Sequence, residues 1–263
     1  MSFLLRDAFD ELEPSEIGSP LRVSHEKPKV SIGLSGTLSG GKFRIPDVKS
    51  ALERKRLIEL LERSVEQYGA TLVSGRAGTG KTVLAAEFAK HYQRVSWYSV
   101  EPADRDWPEF AASFAFCLLG SKKAKTKSVE NGLPDGGEIS RFLTRCLDGK
   151  SKSEQRLLVL DNVHYLFDSP WFSEFFRQLI LSLNGQTRLL MLCRSKPNAP
   201  LWRMRSKQML NVIEESLINF TASEARDLGA RRGISGAAAD EALRRSYGNI
   251  SKLIKALKSL ARR

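Results

Sequence analysis

The chain has few cysteines and no long apolar run, and both absences exclude whole classes of protein. Its 3 cysteines among 263 residues are scattered singly, with no pair at Cys-x-x-Cys spacing. Such usage excludes a disulfide scaffold and favours a reducing compartment. No apolar run approaches the roughly 18 residues that a membrane-spanning helix needs. We therefore expect a cytoplasmic protein that does not use a membrane as a partner.

Histidine is also scarce, and two widespread hydrolase motifs are missing. The sequence contains neither Gly-x-Ser-x-Gly nor His-Glu-x-x-His. The 3 histidines, His25, His91 and His164, lie too far apart to indicate a catalytic triad. No second His or Cys stands at metal-ligand spacing from His164, so we interpret its ring as packed or hydrogen-bonded.

Acidic residues are outnumbered: 30 Asp and Glu stand against 42 Lys and Arg, which gives a formal net charge of +12. A surplus of this size attracts polyanions, whether nucleic acid, acidic lipid or acidic protein. Part of it lies in a lysine cluster at residues 121–127, which we interpret as a solvated mobile loop. Another part lies on the last helical segment, which we interpret as a core-packing helix with solvated lysines; contact with nucleic acid or a membrane is the alternative for that helix.

Short β-prone runs alternate with helix-compatible segments, an order that predicts a parallel sheet covered by helices. The β-prone runs are residues 70–74, 95–100, 157–161, 189–193 and 209–213. The helical segments between them are residues 82–92, 108–119, 138–147 and 171–183. Residues 157–160 and 189–192 are apolar at every position, as expected of central strands buried on both faces.

The length allows one large domain with an appendage, and the pattern divides the chain into three parts. These are a flexible arm rich in Pro, Gly and Ser, an α/β domain and a small helical lid, at residues 1–44, 45–215 and 216–263. A helical stretch at residues 48–67 leads into the α/β domain. In the lid, Thr221 or Ser223 is the expected cap of the first helix, and Ser251 is the expected cap of the last.

One motif carries the strongest chemical signal. Between a strand-like run and a helix-like segment, the chain matches Gly-x-x-x-x-Gly-Lys-[Ser/Thr]. The eight positions are Gly75, Arg76, Ala77, Gly78, Thr79, Gly80, Lys81 and Thr82. Glycines let the main chain wrap around a phosphate with its N–H groups turned inward, and the helix amino end adds positive charge. The motif predicts triphosphate binding, with Lys81 on the β and γ phosphates and Thr82 on Mg²⁺.

Charged and polar residues follow the two apolar runs. Asp161 is expected at the carboxyl end of its strand, where phosphate-loop proteins hold a carboxylate for Mg²⁺. The next residue is Asn162, an amide that cannot accept a proton from water, so slow or absent hydrolysis is expected. Arg194 ends the run 189–193 at the same predicted edge. It is a candidate sensor of the γ-phosphate, with an ordinary surface arginine as the alternative.

Beyond these motifs, the chain resembles the signal-transduction ATPases with numerous domains, and among them the bacterial regulators related to the maltose-regulon activator. The similar segments are residues 53–57, 71–82, 95–99, 158–164, 194–205 and 217–224. The resemblance implies a P-loop NTPase fold with a helical lid, ATP and Mg²⁺ as ligands, and a homo-oligomer in the ATP state. It also implies that the output comes through DNA or through a separate partner protein.

Two positions depart from the family pattern. Asn162 replaces the second of two aspartates, and residues 248–250, Gly-Asn-Ile, lack the proline of an element that touches adenine in relatives. The residues expected to carry the chemistry are Lys81, Asp161, Asn162 and Arg194.

The sequence predicts an ATP-binding regulatory switch, at most a slow ATPase. A DNA-binding ATPase of the transposition-helper or origin-binding type is the alternative, favoured by the basic charge. A nucleotide-independent scaffold with a decayed site is a third possibility, opposed by the intact motif. ATP rather than GTP follows from the resemblance, and the sequence has no Asn-Lys-x-Asp tetrad for reading guanine.

Overall fold

The computed structural model describes residues 40–48, 52–120, 133–148 and 155–261. Five strands are present there: β1 (Ala70–Ser74), β2 (Arg94–Ser99), β3 (Arg156–Asp161), β4 (Thr187–Cys193) and β5 (Leu210–Ile213). They form one parallel sheet in the order β2–β3–β4–β1–β5. Each predicted β-prone run is confirmed as a strand, and the two fully apolar runs lie inside the sheet, in β3 and β4.

Helices cover the sheet on both faces. Those of the sheet region are α1 (Lys55–Tyr68), α2 (Lys81–Ala89), α3 (Trp107–Leu119), α4 (Gly136–Leu147), α5 (Phe172–Leu181) and α6 (Leu201–Ser206). Because side chains alternate along a strand, Leu157 and Val159 of β3 pack with α1 and α2. Leu158 and Leu160 pack with α3, α4 and α5 on the other face. The predicted α/β fold with helices on both faces is thereby confirmed.

The carboxyl-terminal part is helical and has its own small core. It contains α7 (Glu215–Ile218), α8 (Ala222–Ala230), α9 (Gly236–Ser246) and α10 (Ile250–Leu260). Phe220, Leu228, Leu253 and Leu257 are buried together in a cluster separate from the two sheet cores. Thr221, one of the two expected caps, accepts a hydrogen bond from the main-chain N–H of Glu224 at 3.2 Å and so begins α8.

The helix predicted over residues 48–67 begins later, at Lys55. Residues 52–54 are not helical, because tertiary contacts hold this segment. The guanidinium of Arg54 donates to the main-chain oxygen of Asn219 at 2.8 Å. Leu52 packs on the lid core. These distant contacts outweigh the local helical pattern.

Of the flexible arm predicted over residues 1–44, the structure describes only residues 40–44. Residues 1–39 lie outside the described part of the chain, as does the lysine cluster at 121–127. However, Phe43 stacks on Tyr98 of β2, with ring centres 5.6 Å apart. Buried Lys42 forms an ion pair with Asp104 at 2.9 Å. The sequence missed this because a lysine and one aromatic residue give no periodic signal.

A membrane-spanning element is not found in the part of the chain that the structure describes: none of its helices combines sufficient length with sufficient apolar character.

Replacing Lys42 with alanine should destabilise the protein, because Asp104 is fully buried and would be left without its cation. Breaking a buried ion pair from one side costs about 3 kcal/mol of unfolding free energy, which urea denaturation measures. The double variant Lys42→Ala/Asp104→Asn should recover part of this loss. A change below about 0.5 kcal/mol, the size seen for ordinary surface positions, would show that residues 40–44 are not part of the folded body.

Candidate nucleotide-binding site

The phosphate loop, residues 75–80, joins β1 to α2 as the motif predicts. Gly78 and Gly80 have φ angles of 80° and 85°, in the left-handed region where a side chain is strained. Gly80 is the N-cap of α2, so the positive end of this helix faces the loop. The sequence places glycine at the two positions where the main chain requires it.

Lys81 is buried at the first position of α2. Its ammonium donates to the main-chain oxygens of Gly75 and, at 2.8 Å, Arg76, and to the hydroxyl of Thr79 at 3.2 Å. Burial is the main cause that lowers the pKa of Lys81. All the acceptors are neutral groups of the loop, and a charged phosphate is a stronger partner for an ammonium than a carbonyl is.

Thr82 and Asp161 are brought together from α2 and from the end of β3. The hydroxyl of Thr82 donates to one carboxylate oxygen of Asp161 at 2.8 Å, and the main-chain N–H of Asn162 donates to the other at 2.8 Å. Burial raises the pKa of Asp161. Hydroxyl and carboxylate oxygens suit Mg²⁺, which binds through a few protein oxygens and completes its shell with water and phosphate. In the described ranges no group of three or more His, Cys, Asp or Glu forms a self-sufficient metal site.

Asn162 adopts a left-handed conformation, with φ 59° and ψ 31°. Asparagine tolerates this region better than most residues do. The residue therefore has a main-chain role: it turns the chain after β3 and directs its N–H to Asp161. Its side chain is an amide at the position where an acid could activate water.

Arg194 and His164 flank the loop. Arg194 is exposed and makes no hydrogen bond or ion pair to any other described residue. The ring of His164 packs on Tyr165 at 4.5 Å, and its two nitrogens are buried without a partner among the residues described. Burial lowers the pKa of His164, and the charges of Arg194 and Lys81 lower it further. His164 is therefore packed rather than hydrogen-bonded.

The lid reaches the phosphate loop at the start of α10, a contact that sequence reasoning missed. The side-chain amide of Asn249 donates to the main-chain oxygen of Ala77 at 3.0 Å, and the N–H of Ser251 donates to that of Gly78 at 3.2 Å. Asn249 also accepts from the N–H of Lys252, so Asn249, and not Ser251, is the cap of α10. The preference of asparagine for N-cap positions was the available signal.

Two carboxylates fix the other end of the lid. Glu215 of α7 accepts from the main-chain N–H of Arg76 at 2.7 Å and from its guanidinium at 2.7 and 2.8 Å. Glu224 of α8 accepts from Arg54 at 2.9 Å. The Arg54 guanidinium also lies 4.2 Å from the ring centre of Phe220. No local sequence pattern indicates these pairs, because each joins segments far apart in the chain.

A cavity of about 300 Å³ lies between the phosphate loop, α1 and the lid. Its lining includes Gly80 and Val83 on the loop side, Arg54 beside α1, and Phe220 and Ile250 on the lid side. The lining of the cavity is mostly apolar, a composition typical of ligand pockets, and its charged residues are three cations and two carboxylates: Arg54, Arg232, Lys258, Asp47 and Glu87.

The parallel sheet, the phosphate loop after β1 and the paired Thr82 and Asp161 define the class: a P-loop NTPase fold. The profile of the AAA ATPase domain matches residues 51–202, more than half of the chain. The chain therefore belongs to the AAA ATPase domain family.

Similarity to known proteins agrees with the resemblance stated from the sequence. The HTH-type transcriptional regulator MalT of Cronobacter sakazakii is 25% identical over 177 residues, which are 66% of this chain and 19% of that protein. The chain thus spans about one fifth of the length of this relative. A signal transduction ATPase with numerous domains and a tetratricopeptide repeat sensor from Pyrococcus horikoshii has a TM-score of 0.54 at 17% identity, over 79% of this chain and 30% of its own. A Walker-type ATPase of Pyrococcus abyssi has a TM-score of 0.50 at 10% identity, over 82% and 70%.

Replacing Asn249 with alanine should lower the unfolding free energy by about 1–2 kcal/mol, because both a helix cap and the bond to Ala77 are lost. Ser251→Ala is the matched control: Ser251 is the cap expected from the sequence, but Asn249 fills that role in the structure. Urea denaturation measures both variants. Equal losses for the two, or a larger loss for Ser251→Ala, would contradict the capping geometry.

Proposed function

We propose that this chain is an ATP-binding regulatory switch, in which the nucleotide lies between the phosphate loop and the lid. The observation that carries the proposal is the direct bonding of the lid to the loop main chain, through Asn249 and Ser251 at one end and Glu215 at the other. A nucleotide bound to the loop would therefore affect the position of the lid, and the lid would transmit the nucleotide state to a partner.

Residues 75–82 would hold the phosphates. The ammonium of Lys81 would exchange its carbonyl partners for phosphate oxygens, which gives it charged partners at little cost in reorganisation. Thr82 and Asp161 would hold Mg²⁺, which supplies charge neutralisation to the β and γ phosphates. Arg194 has no competing partner among the described residues and would contact the γ-phosphate.

The 300 Å³ cavity would take the base and ribose, since it opens beside Gly80, the last residue of the loop. The Arg54–Phe220 pair would form part of its wall. Because the same arginine binds Glu224, occupation of the cavity would also act on the position of α8.

Hydrolysis would be slow, because the residue after Asp161 offers no carboxylate to water and is fixed in a left-handed turn. The ATP state would then persist and shift the population towards one lid arrangement, provided that ATP binds that arrangement more tightly than ADP does. The body and lid would correspond to residues 45–215 and 216–263, with Glu215 at the junction between them, and the separate lid core supports this division. Assembly of several copies or binding of an output partner would depend on this state.

Transcription regulation is the process named for the MalT relatives, and we propose it for this chain through a further output segment or partner. The alternative of a DNA-binding ATPase needs a nucleic-acid surface on the chain itself.

Lys81→Ala should weaken ATP binding about 10- to 150-fold, the loss expected when charged hydrogen bonds to phosphate are removed. Isothermal titration calorimetry with ATP and Mg²⁺ measures the affinity. Lys90→Ala is the matched control, because Lys90 lies at the end of the same helix but is exposed and paired with Glu87. Equal ATP affinity in wild type and Lys81→Ala would refute the proposed site.

Asn162→Asp should raise the multiple-turnover ATPase rate at least about tenfold, because it supplies a carboxylate base while tolerating the left-handed conformation. Asn162→Gly keeps the backbone without adding a base and should leave the rate unchanged. Phosphate release under saturating ATP measures both. A wild-type rate near the ~10 s⁻¹ that is typical of enzymes would rule out a long-lived ATP state.

A further inference from the structure

Helix α6 exposes the one solvent-accessible tryptophan of the chain. Trp202 is 67% exposed, whereas Trp97, Trp107 and Trp171 are no more than 4% exposed, and the sequence has 4 tryptophans. Leu201 and Met204 anchor the helix by packing against the sheet core. The indole therefore lies mostly in solvent on a helix whose Leu201 and Met204 are partly buried against the sheet core.

The chain segment around Trp202 is basic, and the nearby carboxylate Glu214 pairs with Lys196 and is also influenced by the charge of Arg205. Residues 194–208 contain 5 Lys and Arg and no acidic residue. The guanidinium of Arg203 lies 5.1 Å from the centre of the indole ring. Arg203, Arg205 and Lys207 are exposed, and none forms an ion pair with another described residue. The α6 surface, defined as Trp202, Arg203, Arg205 and Lys207, therefore combines an aromatic face with three cations that lie outside ion-pair distance of any described carboxylate.

Tyr247, another exposed aromatic residue, has different charged neighbours from those of Trp202. Tyr247 is 80% exposed, and two arginines precede it in the chain. Both of them, Arg244 and Arg245, are bound to Glu241. There the two arginines share one carboxylate, whereas Arg203, Arg205 and Lys207 on the α6 surface lie outside ion-pair distance of every described carboxylate.

We infer that the α6 surface binds single-stranded nucleic acid. An unpaired base stacks on the indole, and the phosphates on either side pair with Arg203, Arg205 and Lys207, the combination by which proteins hold single strands. A duplex does not offer the face of a base to a projecting ring, so a single strand is the better fit. A membrane is a poorer fit, because the other large apolar side chains of this short helix are packed into the core. The inference does not depend on the proposed ATP switch.

Tryptophan fluorescence tests the inference directly. Because the other three indoles are buried, acrylamide quenching of the full chain reports mainly on Trp202. Adding a poly-dT oligonucleotide, without ATP, should quench the emission and protect it from acrylamide. Variants that replace Trp202 lack this emission, so their affinity is measured by the fluorescence anisotropy of a labelled poly-dT.

Trp202→Ala should weaken poly-dT binding about 5- to 150-fold, the loss seen when one stacking side chain is removed. Trp202→Phe keeps a stacking ring and should stay within about threefold of wild type. The double variant Arg205→Gln/Lys207→Gln should reduce the slope of log affinity against log salt by about 1.4, the value for two lost phosphate contacts on a single strand. The control Arg231→Gln/Lys255→Gln removes the same charge from exposed lid positions and should keep the wild-type slope.

Several results would overturn the inference. Equal poly-dT affinity for wild type and Trp202→Ala would place any binding elsewhere on the basic surface. Tighter binding to a duplex, unaffected by Trp202→Ala, would assign the cations to duplex DNA. Light scattering without oligonucleotide detects self-association. If self-association alone protects Trp202 from acrylamide, the surface would be assigned to a second copy of this chain. A far-UV circular dichroism spectrum and a urea denaturation midpoint equal to those of the wild type confirm that each variant retains its fold.

Discussion

Four successive main-chain carbonyls, those of residues 75–78, are the groups on which the arrangement at the site depends. The first two accept from the ammonium of Lys81, the third from the side chain of Asn249 and the fourth from the N–H of Ser251. In a trans peptide the N–H points opposite to the C=O, so each of these bonds also fixes the direction of the N–H group that follows the carbonyl. Because a phosphate loop binds an anion through its N–H groups, Lys81 and the lid together set the conformation on which anion binding depends.

These bonds make the loop a structural element shared by the body and the lid. Ile250 lies so close to Gly80 that a Cβ added there would come within 2.3 Å of its Cδ1. Gly80 is required for its left-handed φ, and a side chain there would also have to displace the end of the Ile250 side chain. Glu215 holds the main-chain N–H of Arg76 at the opposite end of the same loop. A lid that moves must break or carry these contacts, so its position and the shape of the loop change together.

Features that depend on a local sequence pattern, such as the strands and the phosphate loop, were predicted from the sequence. Features that depend on contacts between distant residues were missed. The strands followed from apolar runs such as 157–160, and the phosphate loop followed from a contiguous motif whose glycines have a local conformational purpose. In contrast, Arg76 and Glu215 are 139 positions apart, and Asn249 and Ala77 are 172 apart. No periodicity encodes such pairs. The late start of α1 has the same origin, since Arg54 bonds to a residue 165 positions away.

Asn162 and Arg194 connect the candidate site to the rest of the molecule in different ways. Asn162 fixes the end of β3 through its backbone, so the turn that positions Asp161 also places an amide side chain after it. Arg194 begins the basic segment 194–208 that ends in the α6 surface. The segment is anchored at Lys196 by Glu214 and at α6 by core packing. A phosphate that drew Arg194 inward would therefore pull on a segment anchored at both places. A displacement of Arg194 by the γ-phosphate would then be passed along residues 194–202 to Trp202. This coupling would be independent of the contacts between the phosphate loop and the lid.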